Sequence, residues 1–336
     1  HRGPAFEELF GRLQSALHMV FGTVRPVYVS SSSATGLMEA GIRCAPEGAV
    51  LSIVNGAFSA RFAAIARGCG RDTDTLDIEW GKTVEPEALA ARLAAKPYAA
   101  VTVVHSETST GALTDVRAVT QMAHEHGAVC LVDSVTGIGG AELRFDDWGL
   151  DYALTGSQKA LAMPPGLAFA AATSSFIEQA ARVGGRGLYF DLVEFDAYAL
   201  KSQTPNTPAI SLLYAADVQL AAIAAEGMPA RWARHDAMAT RTHRWADKLA
   251  ARHGGGIRVL VDEGHRSPTV TSVMLPETLA SGKVVAAVKE RGFTIGSGYG
   301  TNKELSVRIG HMGDHTLHGL DRCLEACDAA FDALLA

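Results

Sequence analysis

A chain of 336 residues with 48% hydrophobic and 20% charged side chains is long enough for about two domains and too apolar for wholesale disorder. Its 30 Lys and Arg against 36 Asp and Glu leave a formal charge of −6, without the basic stripe that nucleic-acid binding needs. The five cysteines form no CxxC pair, which sets aside a disulfide framework and a zinc ribbon and fits a reducing, cytoplasmic setting.

No stretch is long enough to span a membrane: the longest uncharged apolar one, Ala160 to Ala172, is interrupted by Pro164, Pro165 and Gly166. No signal peptide is visible, and a chain opening at His1 without Met is expected to lack an N-terminal piece.

In chain order, the small residues Ser30-Ser31-Ser32-Ser33-Ala34-Thr35-Gly36 lead into a helical pattern at Leu37, Met38, Ala40 and Ile42. Leu51 to Val54 reads as a strand closed by Asn55-Gly56. Further strands are predicted over 100–104, 128–132, 152–155 and 167–171, the first three ending at His105, Asp133 and Gly156. Helical stretches over 58–68, 85–93 and 116–126 lie between them. This alternation predicts an α/β domain with a largely parallel sheet, whose ligands gather at the carboxyl ends of the strands.

After about residue 200 the texture changes. Gln203 to Pro208 is a turn-rich link, and Leu212, Leu213, Ala216, Leu220 and Ile223 follow helical spacing. Gly254-Gly255-Gly256 marks a boundary. Strands over 268–274 and 305–309, with helices over 279–291 and 317–335, predict a smaller α+β domain. The expected division is a large domain over 1–250 and a small one over 251–336.

Four features carry chemistry. Asp133 closes a strongly apolar strand, where a carboxylate is costly without a cation or hydrogen bonds; alone it reads as a turn cap. Lys159 follows the next strand, before the apolar, rigid Leu161, Met163, Pro164, Pro165 and Gly166. Partial desolvation there lowers its pKa and favours Schiff-base chemistry, whereas a snorkelling surface lysine is the plain alternative. The serine-rich run before a helix start offers free amides to an anion, yet it has neither a Walker lysine nor GxGxxG spacing. Arg308 alternates with Val307 and Ile309, so it either faces a cleft and grips a carboxylate or lies exposed on an edge strand. No metal site is expected: His124 and His126 of His124-Glu125-His126 point apart on a helix, and Cys323 and Cys327 read as ordinary helix residues.

These features, in this order, resemble the class V aminotransferases of fold-type I, a group with alanine– and serine–glyoxylate aminotransferases. The motifs are Ser-Ala-Thr-Gly at 33–36, Asn-Gly-Ala-Phe at 55–58, His-Ser-Glu-Thr-Ser-Thr-Gly at 105–111, Asp-Ser-Val-Thr at 133–136 and Ser-Gln-Lys at 157–159. The resemblance implies a large domain with a mostly parallel seven-stranded sheet, a small α+β domain, and pyridoxal 5′-phosphate as cofactor.

By the same resemblance, Lys159 would bond the cofactor aldehyde and carry the proton. Asp133 would keep the pyridine nitrogen protonated, Phe58 would stack on the ring, Val135 would pack on its other face, and Thr108 would bond its hydroxyl. Ser33, Ala34, Thr35 and Gln158 would hold the phosphate, joined by Asn206 and Thr207 from the partner of a homodimer with shared active sites. Arg308 would grip the substrate carboxylate. Two features depart from the pattern: the N-terminal segment that often lines the pocket is absent, and Ser31 and Ala34 stand where glycines are frequent.

The implied reaction is ping-pong transfer of an amino group from alanine or serine to glyoxylate or pyruvate. A phosphoserine:2-oxoglutarate aminotransferase is the neighbouring alternative, with Arg43, Arg186 or His311 meeting the second anion. A cysteine desulfurase or lyase needs a cysteine on a mobile loop, whereas Cys323 and Cys327 fall on a predicted helix. A catalytically silent binding protein of the same fold would have no need for Lys159 and Asp133 together.

Overall fold

The computed structural model describes residues 1–336. Helix α1 (Pro4–Phe21) opens on a proline and ends at Gly22 in the left-handed region, burying Phe6, Leu9, Phe10, Leu13 and Leu17 at helical spacing. Strand β1 (Val27–Ser30) leads into α2 (Ala34–Cys44), and β2 (Val50–Val54) into α3 (Ala57–Gly68). Then come β3 (Thr73–Asp77), α4 (Pro86–Ala95), β4 (Ala100–Val104), the short pair β5 (Ser106–Glu107) and β6 (Ala112–Leu113), α5 (Val116–Glu125), β7 (Val129–Asp133), β8 (Tyr152–Gly156) and β9 (Ala168–Ala172). Five of these elements stand outside the expected set: α1, β1, β3, β5 and β6.

The central sheet has seven strands in the order β1-β9-β8-β7-β4-β2-β3. Neighbours from β8 to β3 run parallel, whereas β9 is antiparallel to both β8 and β1. Strands β4, β7, β8 and β9 are buried along their whole length, which is why they read as continuous apolar runs. Strand β3 is the polar edge, Thr-Asp-Thr-Leu-Asp, and is only partly buried.

Helices α6 (Ser174–Ala180), α7 (Leu192–Ala199) and α8 (Ile210–Glu226) complete the large unit, and α9 (Met228–His253) leaves it. Strands β10 (Arg258–Val259), β11 (Val270–Met274), β12 (Gly296–Ser297) and β13 (Ser306–Gly310) form an antiparallel sheet in the order β10-β11-β13-β12, covered by α10 (Ser281–Glu290) and α11 (Leu317–Leu335). Two separate apolar cores result. The first runs from Phe6 to Met228 and the second from Met238 to Phe331, so α9 contributes to both. The division expected at 250/251 falls in the last turn of that shared helix. No single helix is long and apolar enough to cross a membrane.

Candidate active site

Strand ends on the carboxyl side of the large sheet converge on a cleft of about 220 Å³. Ser33, Ala34, Thr35, Phe58, Thr108, Asp133, Val135, Gln158 and Lys159 all line it. Residues scattered over 127 positions of sequence therefore meet because parallel strands deliver their ends to one edge.

At one end, Ser33 precedes the first turn of α2 in extended conformation and its side chain makes no capping bond. The first amides of α2 are thus left for an anion, with the positive end of the helix dipole behind them. Gly156 closes this corner from β8. A Cβ there would lie 3.0 Å from Gln158 Oε1 and 3.5 Å from the Ala34 Cβ, so Gln158 and the start of α2 share one small space. Ser31 is turned away, accepting the Ala209 amide at 2.7 Å.

Asp133 ends β7 inside the cleft wall and is 2% exposed. The hydrogen bond its carboxylate receives comes from the Val135 amide, at 2.8 Å. Burial pushes its pKa up to about 7, relieved by the Val135 N–H, worsened by the negative charge of Glu107, and opposed by Arg61 and Lys159. A protonated ring nitrogen beside this carboxylate would offset the penalty, which is the partner a pyridine-type cofactor supplies. Thr108 and Thr136 hydroxyls meet on the same wall.

Lys159 sits in the turn after β8. Its carbonyl accepts the Ala162 amide at 2.9 Å, and Ala162 takes the left-handed region at φ 55°, a strained choice for a residue with a Cβ. The loop is braced from below: fully buried Arg231 donates to the Ala160 carbonyl at 2.7 Å, and a Cβ on Gly313 would press on Ala162 at 3.1 Å. Burial lowers the Lys159 pKa, the positive charge of Arg308 lowers it further, and Asp133 pulls the other way. The amine is therefore pushed toward its neutral, nucleophilic form.

Arg308 approaches from the small sheet. Strand β13 lies between β11 and β12, so Arg308 is half-buried on an interior strand and the edge-strand alternative does not hold. Its Nη1 donates to the Thr108 carbonyl at 3.1 Å and its Nε to the Ser297 carbonyl at 2.9 Å. No carboxylate of the chain pairs with it.

Asn206 and Thr207 do not join the cleft of their own chain. They lie with Ser31, Tyr189, Phe195 and Pro208 in a separate surface hollow. The residues suggested for a second anion are likewise elsewhere: Arg43 pairs with Glu39 at 2.7 Å, Arg186 with Asp191 at 2.9 Å, and buried His311 bonds Thr271 and the Pro268 carbonyl. No cysteine lines the cleft, and Cys323 and Cys327 sit on α11. No group of three or more potential metal ligands is gathered.

Some functional residues carried no sequence signal strong enough to single them out. Arg61 and Thr136 line the cleft, and Tyr299 stacks on Phe58 at 5.5 Å. Glu107 is the most telling. Fully buried, its carboxylate accepts the Phe58 and Ser59 amides at 3.2 and 2.9 Å, and the Ser109 amide and hydroxyl at 3.0 and 2.6 Å. It thereby caps the start of α3 and fixes Phe58, whose ring forms the cleft wall. An acid among Ser and Thr directly after a buried strand was the available clue.

A desolvated lysine, a lone buried aspartate, uncapped helix amides and a planar aromatic wall, at one edge of a mostly parallel seven-stranded sheet, define a pyridoxal-phosphate enzyme of fold-type I. The residues fit that cofactor: the start of α2 and Gln158 would hold its phosphate, Phe58 and Val135 would flank its ring, and Asp133 would face its nitrogen. The sequence profile described as Aminotransferase class-V matches residues 34–315, and the chain belongs to that family. It is 34% identical to an uncharacterised aminotransferase of Methanocaldococcus jannaschii over 93% of this chain and 81% of that one. It is 30% identical to the serine–glyoxylate aminotransferase of Arabidopsis thaliana, over 94% and 80%. The crystal structure of an alanine–glyoxylate aminotransferase from Nostoc sp. superimposes with a TM-score of 0.91 at 30% identity, covering 98% of this chain and 88% of that one.

Proposed function

We propose that this transaminase takes the amino group of a small amino acid, alanine or serine, and passes it to glyoxylate or pyruvate in two half-reactions. The named activities of the Arabidopsis and Nostoc relatives support that choice of donors and of glyoxylate. When bound, pyridoxal phosphate supplies an aldehyde for the amino group and a ring that accepts the electron pair released at the substrate Cα. Lys159, with its lowered pKa, takes the Cα proton and returns it. Asp133 holds a positive charge at the far end of the ring, and Arg308 orients the α-carboxylate with its remaining N–H groups. The carrying observation is that Lys159 and Asp133 line one cleft while Arg308, half-buried and without a carboxylate partner, donates to the carbonyl of Thr108 in the same lining.

The working unit in this reading is a homodimer with shared sites, serving amino-acid metabolism in the cytoplasm. A stripe of exposed apolar residues on α8, Ile210, Tyr214 and Val218, supports a second copy docking there, as do exposed Leu188 and Tyr189 beside the hollow that holds Asn206 and Thr207. Five unpaired thiols agree with a reducing compartment. The test is a panel of amino acids against oxo acids, scored by kcat/KM, with the cofactor absorbance followed in each half-reaction. Alanine or serine with glyoxylate or pyruvate should lead; no response to any amino acid would end the reading.

A further inference from the structure

Tyr299 reaches the site from the small domain on a segment that allows it little freedom. Both flanking residues are glycines with no room for a side chain. A Cβ on Gly298 would lie 1.8 Å from the Asn302 carbonyl oxygen, and one on Gly300, at φ +53°, would lie 2.4 Å from the Trp80 ring. Trp80 belongs to the loop after β3, so the large domain itself props the Tyr299 segment.

The ring so held, 37% exposed at the mouth of the cleft, touches residues from both domains. Its face stacks on Phe58 with centroids 5.5 Å apart and planes inclined by 29°. The Arg308 guanidinium lies 5.5 Å from the same ring, and the Tyr299 hydroxyl accepts from Arg61 Nη2 at 3.4 Å. One side chain thus joins the ring-stacking aromatic to the carboxylate-binding arginine. An amino acid held by Arg308 at its carboxylate and presented to Lys159 at its Cα has its side chain as the remaining large substituent, in the neighbourhood this ring walls.

We propose that Tyr299 is the residue that sets donor size, admitting a methyl or hydroxymethyl side chain and turning away branched and aromatic ones. This rests on the transaminase reading and adds a determinant to it. A wall of this kind discriminates by about 10-fold or more per excess methylene.

The experiment uses holoenzyme and the variants Tyr299→Phe, Tyr299→Leu and Tyr299→Ala, measuring the half-reaction with L-alanine, L-serine, L-leucine and L-phenylalanine. The Phe variant should keep the wild-type preference. The Leu and Ala variants should raise the leucine-to-alanine ratio of kcat/KM by about 10-fold or more. Competitive inhibition of the pyruvate reaction by 4-methyl-2-oxopentanoate reads the same wall without requiring turnover of the bulky acid. An unchanged ratio in both assays overturns the proposal. If instead no amino acid alters the wild-type cofactor absorbance and borohydride tags no Lys159, the transaminase reading is what has failed.

Discussion

Arg308, on the small sheet, donates to the main-chain carbonyl of Thr108, in the large domain, at 3.1 Å. With a second N–H given to Ser297, the guanidinium is fixed in its plane and keeps three donors for a carboxylate. Arg308→Lys preserves the charge and loses the fork. The expected result is a fall in kcat/KM of roughly 10²-fold with the cofactor absorbance unchanged, because a two-pronged, charge-assisted contact is lost. Steady-state kinetics with alanine would show it, and unaltered kinetics would place the carboxylate elsewhere.

Lys159→Ala removes the proposed proton carrier. Turnover should drop by on the order of 10⁴-fold, the upper range for a positioned acid–base group. Methylamine added in millimolar amounts should restore part of it, since the surrounding cleft is otherwise intact. Wild-type protein reduced with borohydride in the presence of cofactor should carry the label on Lys159, and the variant should carry none.

Asp133→Asn keeps the shape at the end of β7 and deletes the charge. A loss of roughly 10²- to 10³-fold in kcat is expected, the scale of one missing electrostatic contact in a dry site. Cofactor retention after gel filtration would fall as well. Full activity in this variant would show that no positive charge is held there.

Glu107 predicts a stability effect. Glu107→Ala strands the Phe58, Ser59 and Ser109 amides in a buried position and should cost about 3 kcal/mol or more. Gly56→Ala should also destabilise, because the new Cβ would lie 2.5 Å from Glu107 and Ser109 side-chain atoms. Urea unfolding read by a probe in the large domain measures both.

Acid should destabilise the protein through the buried His105, His235 and His311 and the half-buried His243. Desolvation lowers His105, His235 and His243 to about 4 and His311 to about 3, against 6.5 for an ordinary histidine. Between those values the unfolded chain binds protons that the folded chain refuses, so stability falls as pH drops below 6.5 and levels off near the folded values. At pH 5.5 each group should cost about 1 kcal/mol. Urea midpoints at pH 7.5 and 5.5 test this, and a flat profile would contradict it.

Much of the large domain was legible because its strands are buried on both faces. Val129 to Val132 carries no polar residue, and Val101 to Val104 only Thr102, so neither alternates. Strand β3 was hidden, since an exposed edge of Thr and Asp looks like a loop. Strand β1 spans only four residues and merges with the serine run. The reversal of β9 had no local signal at all: direction is settled by the eleven residues between Gly156 and Ala168, which return over the sheet carrying Lys159. In the site, Lys159 and Asp133 stood out by charge in apolar surroundings. Glu107 did not, because its importance lies in main-chain amides from a helix some fifty positions earlier. Arg61 and Tyr299 depend on contacts between separate segments, which spacing cannot reveal.

The two apolar cores give the cleft jaws of different parentage. Lys159 hangs from one packed body and Arg308 from the other, so a substrate held as proposed would bridge the two. A simple amine without a carboxylate has no hold on the second jaw. In the proposed reading it would meet the lysine without the Arg308 contact, so its turnover should stay poor even at saturation.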